Sequence, residues 1–216
     1  NDSVVSLKSF STSHIDVFIQ SESLGEVQWR FTGFYAESKR SKRKRSWDLL
    51  KFTRREYNNP WLCAGDFNEV LYASEQFGGN AREEWTMEGF SEMVDYCRFD
   101  DLGYYGLPYT WDNKQQGTRN FKVRLDRGLG DDKFLECFHN TTVNHIQCTE
   151  SDHCALLIAV RRSDWMDEAR LIRPFRFENA WTRHDTYNQV VHEAWTSGCH
   201  DLASLYGALG VVRNRL

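Results

Sequence analysis

The stretch that most constrains this chain is Trp61-Leu62-Cys63-Ala64-Gly65-Asp66-Phe67-Asn68, an apolar run that ends on a carboxylate and an amide with one residue between them. A short apolar run bounded by a turn signal reads as a buried strand. Ligands of α/β sheets gather outside the carboxyl ends of the strands, so polar groups at this end are placed for chemistry. If the strand geometry persists, Asp66 and Asn68 leave on the same face. One can then orient or deprotonate a water while the other donates to an oxyanion. An Asx turn closing the strand is the alternative.

On either side of this run the pattern predicts further elements. Apolar residues at period two (Val5, Leu7; Ile15, Val17, Ile19; Val27, Trp29, Phe31) predict three successive antiparallel strands, the third running on to Gly33-Phe34-Tyr35. Ser46 suits an N-cap, and Trp47, Leu50 and Tyr57 share a helix face leading back to the central run, a strand, helix, strand order. A second helix is predicted after a cap at Thr86, with Phe90, Met93, Val94 and Cys97 on its inner face. Residues 109–111 read as a strand and 120–127 as its return partner, with Phe121, Val123 and Leu125 on one side and Lys122, Arg124 and Asp126 on the other. A surface ion pair accounts for that polar side as well as chemistry does. A short helix at 132–138 and a weak strand near 143–146 follow, and Ser151-Asp152-His153 introduces the apolar run 155–160, read as a buried strand. The Asp-His pair could carry a proton or bind a phosphate oxygen, or be a capped loop histidine. Tyr35, at a strand end, is either a phosphate donor or a core tyrosine. The organisation expected is one domain over 1–162 and a linker with a helical connector over 163–216. In the latter, Pro174-Phe175-Arg176-Phe177 is extended and Tyr187, Val190, Val191, Ala194 and Trp195 make an amphipathic helix.

With 216 residues, 40% hydrophobic and 27% charged, the chain can bury one sizeable core. No apolar run approaches the roughly 18 residues of a membrane helix and no signal peptide opens the sequence, which predicts an intracellular protein without membrane contact. Six singly scattered cysteines fit reduced thiols rather than a disulfide framework or zinc. The net charge of −4 conceals nine Lys/Arg between residues 36 and 55 against Glu37 and Asp48, a local +7. Centred on Lys42, Arg43, Lys44 and Arg45, this patch suits a nucleic-acid backbone, a nuclear import signal or a solvated helix entry.

Taken in order, Gly33-Phe34-Tyr35, Gly65-Asp66-Phe67-Asn68, Arg124-Leu125-Asp126 and Ser151-Asp152-His153 resemble the second half of the endonuclease/exonuclease/phosphatase superfamily. The closer resemblance is to the apurinic-type endonuclease domain of plant LINE-type non-LTR retrotransposons. Gly78-Gly79 with Arg82, Asp101-Leu102-Gly103, Tyr109-Thr110-Trp111 and Pro174 to Glu178 add to it. The resemblance implies a four-layer α/β sandwich of two packed, mostly antiparallel sheets flanked by helices, and a DNA-nicking hydrolase using Mg²⁺ or Mn²⁺. It also implies roles: Asp66 activates water, Asn68 helps hold it, His153 contacts the phosphate under orientation by Asp126, Tyr35 donates to a phosphate oxygen, and Asp152 supports the metal. DNA and a downstream reverse transcriptase domain are the implied partners. Such proteins carry an early asparagine and a metal-binding glutamate that the present chain begins after. The expectation is therefore a domain short of its N-terminal half, with an incomplete metal site and weakened activity. Two alternatives are a non-catalytic nucleic-acid-binding remnant and a same-fold phosphatase acting on a small phosphoester.

Overall fold

Alternation near the start does become strands, in a computed structural model that describes residues 3–25, 27–80, 82–162 and 187–196. β1 (Ser3–Phe10), β2 (His14–Ser21) and β3 (Trp29–Tyr35) pair antiparallel in sequence. Helix α1 (Arg43–Glu56) then carries the chain to β4 (Trp61–Asp66), which lies parallel to β3. The chain continues through β5 (Gln76–Phe77), α2 (Glu88–Cys97), β6 (Phe99–Asp101), β7 (Tyr105–Gly106), β8 (Trp111–Asp112) and β9 (Lys122–Val123). β10 (Asp126–Asp131), α3 (Asp132–Phe138), β11 (Thr142–Ile146) and β12 (Ala155–Ala159) follow. These elements belong to the first of two compact units, Asn1–Glu168; the second, Ala169–Leu216, contains α4 (Tyr187–Thr196) with Val190 buried.

The main sheet runs β1-β2-β3-β4-β10-β6, beside three-stranded sheets β12-β11-β7 and β5-β9-β8. This is a mixed α/β architecture with several sheets and flanking helices, as the strand, helix, strand order predicts. Period two along β4 divides the core. Trp61 and Cys63 join Trp47 and Leu50 of α1 and the expected Phe90, Met93, Val94 and Cys97 of α2. Leu62, pointing the other way, joins Trp29 with Phe134 and Phe138 of α3, and Ile158 of β12 packs against that cluster. Each large side chain fully buried here contributes about 1.5–3 kcal/mol.

Several local readings change. Helix α1 begins at Arg43, not after Ser46, whose hydroxyl instead accepts a hydrogen bond from the Glu37 amide at 2.9 Å and pins the incoming loop. Tyr57 terminates this helix in extended conformation and packs edge-on against Phe18. Thr86 closes a 3₁₀ turn, and α2 starts two residues later. The return strand at 120–127 breaks, because Lys122–Val123 pairs with β8 while Asp126–Asp131 enters the main sheet. Arg124, at that break, is buried rather than part of a surface pair. The run 155–160 holds no buried residue, since β12 is an edge strand with one face outward and Leu157 55% exposed. The proposed extended stretch at 174–177 lies outside the described residues.

The first two strands leave much of their apolar surface outward, whereas β3 buries Trp29 and Phe34. Val5, Leu7, Phe10 and Ile15 each remain more than half exposed, while His14, Asp16 and Phe18 of β2 turn inward. Asp16 is accommodated there because Arg30 and Thr32 donate to its Oδ1 at 2.7 and 2.6 Å. Buried polar groups survive only with such partners.

Candidate active site

Three neighbouring strands present their polar ends side by side. In the β3/β4 register Tyr35 lies opposite Asp66, and in the β4/β10 register Asp66 lies opposite Asp126. Gly65 allows the first approach: at φ +144° a Cβ there would sit 2.0 Å from the Phe34 carbonyl oxygen, so only glycine fits. His153 is delivered from the loop before β12. A bridge to Trp111 and two backbone hydrogen bonds, Asp112 N–H to the Asp152 carbonyl (3.0 Å) and Cys154 N–H to the Thr110 carbonyl (2.7 Å), clamp that loop to β8.

Within this cluster His153 Nδ1 hydrogen-bonds Asp126 Oδ2 at 2.9 Å. A carboxylate accepts, so Nδ1 carries the proton and the imidazole is held in one orientation. That hydrogen bond, opposed by burial and reinforced by the charges of Asp126, Asp66 and Asp152, raises the His153 pKa above its ordinary 6.5. Asp66 is pushed up to about 6, chiefly by burial and then by the Asp126 charge, against the pull of the Asn68 N–H, His153 and Arg43. A carboxyl that titrates near neutrality is suited to take a proton from water.

The Asx-turn reading of Asp66 holds geometrically. Asp66 Oδ1 accepts from the Asn68 N–H at 2.7 Å, and Asn68 adopts a left-handed φ of 51°. The strand therefore ends before Asn68, so the two side chains do not project by strand geometry. The Asn68 amide donates instead to the Ala36 carbonyl at 2.8 Å, tying the turn after β4 to the loop that follows Tyr35. Tyr35 itself is 56% exposed at the rim.

Ligand atoms of Asp66, Asp126 and His153 all lie within 4.8 Å of one another, a group among the described residues able to hold a metal. The two carboxylates suit a hard divalent cation, which would complete its shell with water and substrate oxygens. Asp152 is not part of that group; its exposed carboxylate accepts from the Trp111 indole N–H at 2.9 Å, which holds its pKa below the usual carboxylate value. In the basic run, Arg43 turns inward: its guanidinium pairs with Glu69 at 2.5 Å and donates to the Glu37 and Ser38 carbonyls. Lys44 pairs with Asp48 along the helix, and Lys42 and Arg45 are exposed.

Sequence reading missed the groups that position the site. Thr110 Oγ1 accepts from the Leu125 and Asp126 amides, both at 2.9 Å, fixing the entry to β10. Buried Arg124 and Arg127 bind Glu75 and Asp101 in a four-membered network beside Asp126. The available signal was two arginines bracketing an aspartate at the mouth of a strand.

By sequence, no family model and no curated protein matches the chain. By structure, the endonuclease domain of TRAS1, a telomere-specific non-LTR retrotransposon, is similar with a TM-score of 0.56 at 14% identity, over 74% of this chain and 70% of that one. The 3′ phosphatase NExo from Neisseria, bound to a product DNA hairpin, reaches 0.50 at 14% identity over the same shares. The mixed α/β architecture of this chain is thus similar to that of two proteins with the endonuclease/exonuclease/phosphatase fold. The strand ends carrying Tyr35, Asp66 and Asp126 and the loop carrying His153 come together at one end of the main sheet. The likenesses bear on architecture alone.

Proposed function

We propose that the chain carries the hydrolytic centre of a divalent-metal-dependent DNA-nicking enzyme of retrotransposon type. The observation that carries this reading is the Asp126–His153 pair set against a second carboxyl, Asp66, whose pKa lies near 6. Asp66 takes the proton of the attacking water. His153, cationic over a wider pH range than a free imidazole, neutralises charge growing on the phosphate oxygens, and Asp126 positions it. Tyr35 donates to a phosphate oxygen from the rim. Asn68 acts through its backbone N–H on Asp66 and through the tie to Ala36, keeping Asp66 and the Tyr35 loop in register.

A Mg²⁺ or Mn²⁺ ion held by Asp66 would supply positive charge to the phosphate and the leaving oxygen. Water and substrate oxygens would fill the rest of such an ion's shell, and Asp152, hydrogen-bonded to Trp111, would support the site from outside the group. Segment 163–216 is read as the connector toward a reverse transcriptase. A phosphomonoesterase is the second reading, favoured by the fold likeness to a 3′ phosphatase.

Supercoiled-plasmid nicking in Mg²⁺ tests the proposal. Nicking is expected in Mg²⁺ and not in EDTA, with about 10²–10⁴-fold loss in His153→Ala. The rate should fall as pH rises past the raised His153 pKa, above 6.5. Nicking that survives EDTA, or that His153→Ala leaves unchanged, refutes this mechanism. Release of phosphate from a 3′-phosphorylated oligonucleotide without any nicking would select the second reading.

A further inference from the structure

Next to the site, a cleft of about 360 Å³ is lined by Arg40, Arg43, Asn80, Arg82, Glu83 and Thr86. Its size is at the lower end for small-ligand clefts, enough for one nucleotide unit. Two of its arginines share a single carboxylate: Arg43 pairs with one oxygen of buried Glu69 and Arg82 with the other. The third, Arg40, is exposed and lies over the Trp85 ring at 4.6 Å. Trp85 is 64% exposed, an unusual position for the largest apolar side chain, and its indole N–H donates to Glu83.

Charge in this cleft is not balanced. Three guanidiniums face two carboxylates, buried Glu69 and rim Glu83, which leaves a net positive charge. Burial above all, opposed by Glu69 and reinforced by the Arg43 and Arg40 charges, holds the Arg82 pKa below its ordinary value. An anion entering the cleft relieves that crowding. The cleft also adjoins the hydrolytic centre. Glu69 follows Asn68 directly, Arg43 donates to the loop after Tyr35, and its charge acts on Asp66.

Resting on the DNA-hydrolase reading above, we propose that this cleft binds a backbone phosphate of the DNA strand flanking the scissile bond, with the adjacent base stacked on Trp85. Guanidiniums suit a phosphate because their N–H groups form a fixed fork, and an exposed indole accepts any base on its face. This places strand contacts at Arg40, Arg82 and Trp85 rather than along the exposed face of α1.

The test is equilibrium binding of a fluorescein-labelled oligonucleotide of about 20 residues, single-stranded and duplex, in EDTA across a salt series. Arg40→Ala should weaken binding several-fold and lower the salt slope by about 1. Trp85→Ala should weaken it roughly tenfold with the slope unchanged. Lys44→Ala, on the helix face, should lie close to wild type. Both positions are exposed, so the variants keep the fold. Unchanged affinity in both Arg40→Ala and Trp85→Ala overturns the cleft as a strand site, as does a Lys44→Ala effect larger than theirs. Plasmid nicking read in parallel separates the two claims. Nicking lost only in His153→Ala with binding unaffected anywhere refutes the cleft and keeps the hydrolase. Binding lost at Arg40 and Trp85 with no nicking by any protein does the reverse.

Discussion

Asp66→Asn is expected to cut hydrolysis by about 10²–10⁴-fold and at the same time to stabilise the metal-free protein at neutral pH. The first effect follows from losing the proton acceptor. The second follows from burial, because the native carboxyl has a pKa near 6 where an unfolded chain shows 3.8. The native state thus binds more protons than the unfolded one between those values, and stability falls as pH rises through that window. Above about pH 6 the full penalty, on the order of 3 kcal/mol, is present. Asparagine has no proton to lose and can still accept from the Asn68 amide. In EDTA at pH 7.5 the variant should melt higher by roughly 6–12 °C, and the gap should close near pH 4. An equal gap at both pH values, or a less stable variant, would show that the carboxyl is not strained as described.

Arg127→Met is expected to cost about 3–5 kcal/mol, the largest stability loss among these predictions. Arg127 is fully buried, its guanidinium bound to Glu75 at 2.8 Å and Asp101 at 3.0 Å, while Arg124 binds the same two carboxylates at 2.9 and 2.7 Å. Methionine roughly fills the space yet leaves two buried carboxylates facing one guanidinium. Arg127 also donates to the Arg124 carbonyl, closing the bend through which β9 passes into β10. Asp126 stands within that bend, so activity should fall along with stability. Burial raises the Glu75 pKa, but Arg127 and Arg124 outweigh it and hold it below 4.5. The wild-type contribution of Glu75 is therefore present above pH 4.5 and lost as pH falls further, and thermal melts at pH 7 and pH 3.5 should show the variant's deficit shrinking in acid. A deficit below 1 kcal/mol at pH 7 would mean the network is not closed as described.

What could be read from the sequence was what a local pattern encodes. The apolar run 61–65 became a central strand, and Phe90, Met93, Val94 and Cys97 became the buried face of α2 because i, i+3, i+4, i+7 spacing has one geometric meaning. Asp66, Asp126 and His153 do meet, as the ordered motifs imply. Strand pairing over long separations was not legible: nothing near Arg124 states that its partners are Glu75 and Asp101. Burial direction failed where alternation is symmetric. Alternation in β2 did not say which face is buried, and Asp16 lies inside because Arg30 and Thr32 reach it from β3. The basic run was read by composition, which could not show that Arg43 serves Glu69 while Arg40 lies over Trp85.

One carboxylate links three elements that are far apart in the chain. Asp131 Oδ1 accepts from the Trp61 and Phe134 amides, both at 2.9 Å, and Oδ2 from Arg54 at 2.7 Å. The start of β4, the first turn of α3 and the last turn of α1 are thereby latched through a single side chain. None can fray alone without stranding a buried acceptor, so the amide protons of Trp61 and Phe134 should exchange with solvent together, in one opening event.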